Sequence, residues 1–142
     1  MIYLVQESKI SYKRKRNEKP IVRGTSTAVE IFRSIEGIDQ IIDYKEVLYA
    51  LYLNHANECV GVMKISEGGI TSSPYDVRTI MQGALLNNAT AFIILHNHPS
   101  GSLKHSDNDK QMFHRLQQAG LLMDILCLDS IVVTQEGHKS AL

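Results

Sequence analysis

Two histidines one residue apart, His96 and His98, end the apolar run Phe92-Ile93-Ile94-Leu95, and Ser106 and Asp109 follow closely. If the chain is still extended at the histidines, residues i and i+2 point to the same side, and both imidazoles can address one metal ion. Pro99 and Gly101 turn the chain out of the strand, and Ser106 reads as the N-cap of a following helix. Asp109 then falls in that helix's first turn, where its carboxylate can reach back toward the imidazoles. Two imidazoles and one carboxylate leave a fourth position for water, the ligand set expected of a catalytic zinc site. Iron or manganese would accept the same ligands.

A plainer account of these residues exists. Ser106 with an acid three residues on is also a helix-capping pattern, with Asp109 in place of the usual Glu or Gln. Histidines after a strand can be ordinary loop residues. The combination is more specific than its parts: His-x-His, seven residues, Ser, two residues, Asp, following a strand and opening a helix.

Hydrolysis at such a centre also needs a general base that takes a proton from water and passes it to the leaving group. Glu30, Glu36, Glu46, Glu58 and Glu67 all lie upstream, and composition alone does not choose among them. Glu46 immediately precedes a long apolar run, where one strand end could meet the end of Ala91–Leu95. An acid at a strand edge is otherwise simply solvated.

The elements that must position these groups are legible from periodicity. Residues 2–12 hold β-formers suited to an edge strand or two. Thr25, Ser26 or Thr27 offers an N-cap for a helix whose stripe is Ala28, Val29, Ile31, Phe32 and Ile35, with Gly37 as its C-cap. Ile38–Tyr44 is a short connector of at most one turn. Val47–Leu53 and Cys59–Ile65 read as a hairpin across the turn Asn54–Glu58, and their unbroken apolar character predicts strands covered on both faces. After a loop from Glu67 to Ser73, Ser73-Pro74 starts a helix running over Tyr75–Asn87. Ala91–Leu95 is the central strand, and Asp107–Ala119 a helix ending at Gly120. Leu121–Leu128 and Ile131–Thr134 read as two closing strands joined at Asp129-Ser130.

A chain of 142 residues is read as one domain over 1–142, with 1–20 as edge strand and basic loop. Fifteen basic and fifteen acidic residues cancel, so net charge gives no argument for a nucleic-acid or membrane partner. Lys9 to Arg23 is locally basic, and Lys13-Arg14-Lys15-Arg16 is the one candidate for a weak phosphate contact; a solvated loop is the favoured account. Cys59 and Cys127 lack metal-ligand spacing and read as buried thiols of a reducing cytoplasm. Gln6 and Glu7 break the opening apolar run, so no signal peptide is expected. No apolar stretch is long enough to span a bilayer, and a cytoplasmic location is the expectation. His55, His105, His114 and His138 read as loop, surface or tail residues rather than ligands.

The spacing from His96 to Asp109 resembles the JAMM signature of the JAB/MPN metalloprotease superfamily, and His96-Asn97-His98-Pro99-Ser100-Gly101 is similar to its RadC-like branch. The resemblance runs from about Ser11 to Val133. It implies a cytidine-deaminase-like α/β fold, a mixed β-sheet flanked by helices. It further implies that His96, His98 and Asp109 hold Zn2+, that Glu46 is the catalytic base, and that Ser106 polarises the carbonyl or steadies the oxyanion. Asn97, Pro99, Ser100 and Gly101 would shape the loop. The implied activity is that of a zinc metallopeptidase or isopeptidase acting on a peptide or isopeptide substrate. Ser102-Leu103-Lys104-His105 stands where the family carries an acidic, proline-containing stretch, and Asp129-Ser130 where Asp-His is frequent. Longer RadC proteins carry a helical DNA-binding-type region ahead of this domain; none is expected here, so a repair role is expected to transfer poorly. The alternative from another class is a DNA-associated repair or mobile-element accessory protein without peptidase activity. A metal-free scaffold is disfavoured by the intact set of four residues. A cytidine deaminase is disfavoured because neither His-x-Glu nor Pro-Cys-x-x-Cys is present.

Overall fold

The apolar run that ends in the histidines becomes the middle strand of a five-stranded sheet in the computed structural model. The structure describes residue 5 and residues 8–13, 18–68 and 75–142. Its strands are β1 (Val47–Leu53), β2 (Cys59–Glu67), β3 (Ala91–Asn97), β4 (Leu126–Val133) and β5 (His138–Ser140). Helices α1 (Thr25–Arg33), α2 (Ile38–Ile41), α3 (Val77–Leu86) and α4 (Asp107–Leu122) complete the described elements. The sheet order is β2-β1-β3-β4-β5. β1 is antiparallel to β2 and β3, β3 is parallel to β4, and β4 is antiparallel to β5. This is the expected mixed sheet flanked by helices.

Alternation along β1 and β3 sorts the core into two layers. Val47, Leu51, Leu53, Ile93 and Leu95 face one way, against Ala28, Val29 and Phe32 of α1 and Ile38 of α2. Leu48, Ala50, Tyr52, Phe92 and Ile94 face the other, against Ile80 and Ala84 of α3 and Met112, Phe113 and Leu116 of α4. Both faces of the central strands are therefore dry, which is why their sequences are nearly all apolar. β2 departs from that expectation: as an edge strand it is mostly half-exposed, and its lysine and glutamate sit on the open side.

Several boundaries differ from the sequence reading, each for a local reason. Residues 5 and 8–13 form no strand; the remainder of the expected N-terminal edge, the Arg14–Arg16 part of the basic run, and Ser73-Pro74 lie outside the described residues. The cap of α1 is Gly24, with no side-chain hydrogen bond, rather than Thr25, Ser26 or Thr27. Ser34, not Gly37, caps the end of α1; Gly37, at φ 89°, takes the left-handed conformation as the N-cap of the single turn of α2. α3 starts later than expected, where Asp76 caps it by accepting from Arg78 N–H at 2.9 Å. Gly120 does not end α4. It lies inside the helix, where a Cβ would strike the Ile125 carbonyl oxygen as the chain doubles back.

The largest correction is at the C-terminal end. Asp129-Ser130 is not a turn between two strands but the interior of β4, beside a bulge where the pairing to β3 skips Leu128. The Asp129 carboxylate is satisfied in place, whereas the buried Ser130 Oγ has no hydrogen-bond partner among the described residues. The Asp129 carboxylate accepts from Ser130 N (2.8 Å), Ser140 Oγ (2.6 Å) and Ala141 N (3.2 Å). The bonds from Ser140 and Ala141 tie β5, where the sequence predicts only a polar tail, onto the sheet. Cys59 and Cys127 are buried unpaired thiols, and burial pushes Cys127 up to about 12. Among the described residues no helix is long and apolar enough to cross a membrane.

Candidate metal centre

The strand pairing dictates which groups can meet. Leu48 of β1 lies opposite His96 of β3, so the start of β1 and the end of β3 share one end of the sheet. Glu46, just before β1, is thereby delivered to the histidines. His96 and His98 continue the alternation of Phe92 and Ile94 and face the α4 side, their ring centroids 5.0 Å apart. His98 N–H bonds the Val133 carbonyl (3.2 Å), so the strand-like path holds through the second histidine. A turn follows at once: Gly101 N–H donates to His98 O at 3.0 Å, and Gly101 takes φ 85°, which a side chain would strain.

Ser106 caps α4 with a full capping box. Its Oγ accepts from Asp109 N–H at 3.0 Å, and its own N–H donates to Asp109 Oδ2 at 2.8 Å. The helix start therefore aims the Asp109 carboxylate back at the strand end. Asp109 Oδ1 stands 3.2 Å from His96 Nε2, and Oδ2 3.2 Å from His98 Nε2. One ligand atom from each of Glu46, His96, His98 and Asp109 falls within 4.8 Å of the others.

The polar bookkeeping of this cluster is incomplete without a further partner. His96 is only 1% exposed, yet neither ring nitrogen has an aligned hydrogen bond. Buried imidazoles nearly always satisfy at least one nitrogen. His98, by contrast, points Nδ1 at the Ser102 carbonyl (2.9 Å), which fixes Nδ1 as the protonated nitrogen of the neutral ring and leaves Nε2 with a lone pair toward the cluster. Two imidazole nitrogens, a carboxylate and an adjacent second carboxylate suit a borderline metal such as zinc. The residues fit a metal ion.

Electrostatics follow from this crowding. Burial pushes the Glu46 carboxyl above the ordinary glutamate range, against the pull of His96 and His98, while nearby Asp109 adds to the rise. Burial would also raise Asp109, but the adjoining His96 and His98 rings and the Ser106 N–H hold it well below its usual range. The Asp109 hydrogen bond raises His98, opposed by burial. One carboxyl is thus held below its ordinary range while its neighbour is pushed above it.

Every site residue drawn from the sequence has a definite place. Glu46, His96, His98 and Asp109 come together; Ser106 stands at the helix cap beside Asp109. His105 stays outside the cluster: it is buried, with Nε2 3.0 Å from the Lys139 carbonyl. Asn97, expected to shape the loop, is instead the last residue of β3. It is fully buried and bonds three backbone groups of the segment that carries Glu46. The signal was available, since alternation sends Asn97 away from the histidines into an apolar layer, where an amide must find partners.

Residues 23–141 match the family model described as RadC-like JAB domain. A UPF0758 protein of Flavobacterium johnsoniae is 37% identical over 95 residues, covering 67% of this chain and 42% of the relative. One from Salinibacter ruber is 38% identical over 96 residues (68% and 41%), and one from Chlorobaculum parvum 35% over 115 residues (75% and 52%). The chain thus spans about half or less of the length of the curated relatives it matches. With the family match running from ahead of α1 to beyond β5, the chain belongs to the RadC-like JAB domain family.

Proposed function

We propose that this domain is a zinc-dependent hydrolase of the JAMM type that cleaves a peptide or isopeptide amide. The observation that carries the reading is the convergence of Glu46, His96, His98 and Asp109, with the buried His96 nitrogens left without an aligned hydrogen bond. His96, His98 and Asp109 would hold the metal. Zinc bound by three protein groups supplies Lewis acidity and brings the pKa of a coordinated water to about 7.

The chain's own groups do the proton work. Glu46, half-buried and raised in pKa, accepts a proton from the attacking water on a carboxylate oxygen and returns it to the departing amine nitrogen. Asp109, held low, stays ionised beside it and does not compete for that proton. The Ser106 hydroxyl accepts from Asp109 N–H and so keeps its own hydrogen to donate toward a carbonyl oxygen that gains charge. The Ser102 carbonyl holds the His98 ring in one orientation.

The test is metal content by elemental analysis for the wild type, His98→Ala and Asp109→Ala, followed by a peptide and isopeptide substrate screen with Glu46→Gln as control. About one zinc per chain, lost in both ligand variants, with cleavage abolished by Glu46→Gln, is the expected result. A wild type that stays metal-free and refuses added zinc overturns the proposal.

A further inference from the structure

Asn97 sits between the two histidines yet faces the opposite layer, and its amide is fully used. Oδ1 accepts from Val47 N–H at 2.8 Å, and Nδ2 donates to the Ile42 and Lys45 carbonyls, each at 2.8 Å. The partner set fixes the amide's orientation, because two carbonyls require the NH2 and one N–H requires the oxygen. The Lys45 carbonyl belongs to the peptide unit before Glu46, and the Val47 N–H to the peptide unit after it. One side chain therefore holds both peptide planes that flank Glu46, and two fixed planes set the direction of its Cα–Cβ bond. Glu46 O in turn accepts from Gly68 N–H at 2.9 Å, which closes the remaining freedom of that segment.

We propose that Asn97 is the positioning residue for Glu46, so that the strand presenting the histidines also sets the place of the carboxylate that works beside them. The inference rests on the metallohydrolase reading for the role of Glu46, but its geometry does not need a metal. Asparagine suits the position where its near relatives do not. Aspartate would set an oxygen against two carbonyl oxygens, glutamine would overfill a fully buried site by one methylene, and serine reaches at most one of the two carbonyls. His96 and His98 face away from this clamp, so removing it leaves the ligands themselves in place.

The experiment uses Asn97→Ala and Asn97→Ser with carboxyl-13C glutamate labelling, the Glu46 resonance being assigned by its disappearance in Glu46→Gln. In the metal-free protein, the Glu46 signal of both variants is expected to move toward those of the solvent-exposed glutamates, and Val47 N–H to exchange at least about tenfold faster while Ile94 keeps its protection. Titrated with zinc alone, the variants are expected to bind within about threefold of wild type, short of the roughly 10–100-fold loss that follows removal of a group orienting a ligand. Their Glu46 signal is expected to lose the zinc response that wild type shows. A purely structural Asn97 would lower Tm and leave the Glu46 signal at its wild-type position; that result overturns the proposal. So does a zinc affinity that falls as far as in His98→Ala, which would make Asn97 a support of the ligands. A wild type that takes up no zinc defeats the metallohydrolase reading instead, and the metal-free arm still decides Asn97. Should Asn97→Ala not fold, Asn97→Ser, which keeps a hydroxyl in the buried site but is too short to span the three backbone groups, carries the same comparison.

Discussion

Ser106 and Asp109 hold one another twice: each backbone N–H is bonded by the other's side-chain oxygen, at 2.8 and 3.0 Å. The capping pattern and the proposed ligand pattern are therefore not rivals. The cap is the device that aims the carboxylate. Ser106→Ala is expected to cost about 1 kcal/mol, the ordinary loss of an N-cap, measured by urea unfolding of the metal-free protein. It is also expected to weaken zinc binding by roughly tenfold, since a group that orients a ligand is lost. Unchanged zinc affinity would mean that Asp109 is aimed by the helix alone.

Zinc is expected to stabilise the folded domain. At a free concentration of 100 times its Kd the gain is about 2.7 kcal/mol, seen as a rise in Tm that a chelator reverses. Asp109→Ala and His98→Ala should show no such rise. A rise retained in Asp109→Ala would remove the carboxylate from the ligand set.

Without metal, Asp109 and His98 support each other over a definite pH window. The folded Asp109 is held below its ordinary 3.8, so its contribution is complete above that value and is lost as pH falls below it. The folded His98 is raised above 6.5, so its contribution is complete below 6.5 and is lost as pH climbs through the raised value. The Tm difference between wild type and Asp109→Asn should therefore be largest, a few degrees, between these limits and shrink on both sides. A difference that is flat from pH 3 to pH 9 would mean the pairing carries no stability.

Glu46 obeys the opposite sign to Asp109. Its carboxyl is raised by burial, so ionising it works against the fold once pH exceeds the ordinary glutamate value of 4.5. Glu46→Gln is expected to raise the Tm of the metal-free protein by about 1–3 °C at pH 7, and by less at pH 4. Calorimetry at both pH values checks it, and a lowered Tm at pH 7 would point to a favourable contact of the charged form.

Gly120→Ala inverts the usual helix rule. Alanine inside a helix normally gains up to about 1 kcal/mol over glycine. Here the new Cβ meets the Ile125 carbonyl oxygen, whose own residue's N–H donates to Gly120 O at 2.8 Å, so the α4–β4 connection must shift. A net loss of about 1–3 kcal/mol is expected by denaturant unfolding, whereas a gain would show that the connection yields freely.

The three proposed ligands are legible in the sequence because two periodicities intersect at them. Strand alternation pairs His96 with His98, and helix capping places Asp109 one turn beyond the loop. Glu46 needed the additional fact that β1 and β3 run antiparallel, which brings the start of one to the end of the other. Single-sequence patterns do not state which strands pair, so the residues alone left five glutamates open and the family resemblance chose. The C-terminal misreading has a matching cause. Asp129-Ser130 has the composition of a turn, and only the partners Ser140 and Ala141, eleven and twelve residues from Asp129, make it tolerable within a strand. Alternation shows that the Asn97 amide must find partners, but not which ones, because they lie 50 to 55 residues upstream.

All three proposed ligands lie within residues 96–109, a strand end, one loop and one helix start. Glu46 enters separately, from a segment anchored by apolar pairing and by Asn97. Evolution can therefore discard or exchange His98 and Asp109, which lie outside the strands, without reworking the sheet, while His96 and Asn97 belong to β3 itself. A descendant that lost His98 and Asp109 would keep the same layered architecture and the same glutamate, pointed at an address where nothing arrives.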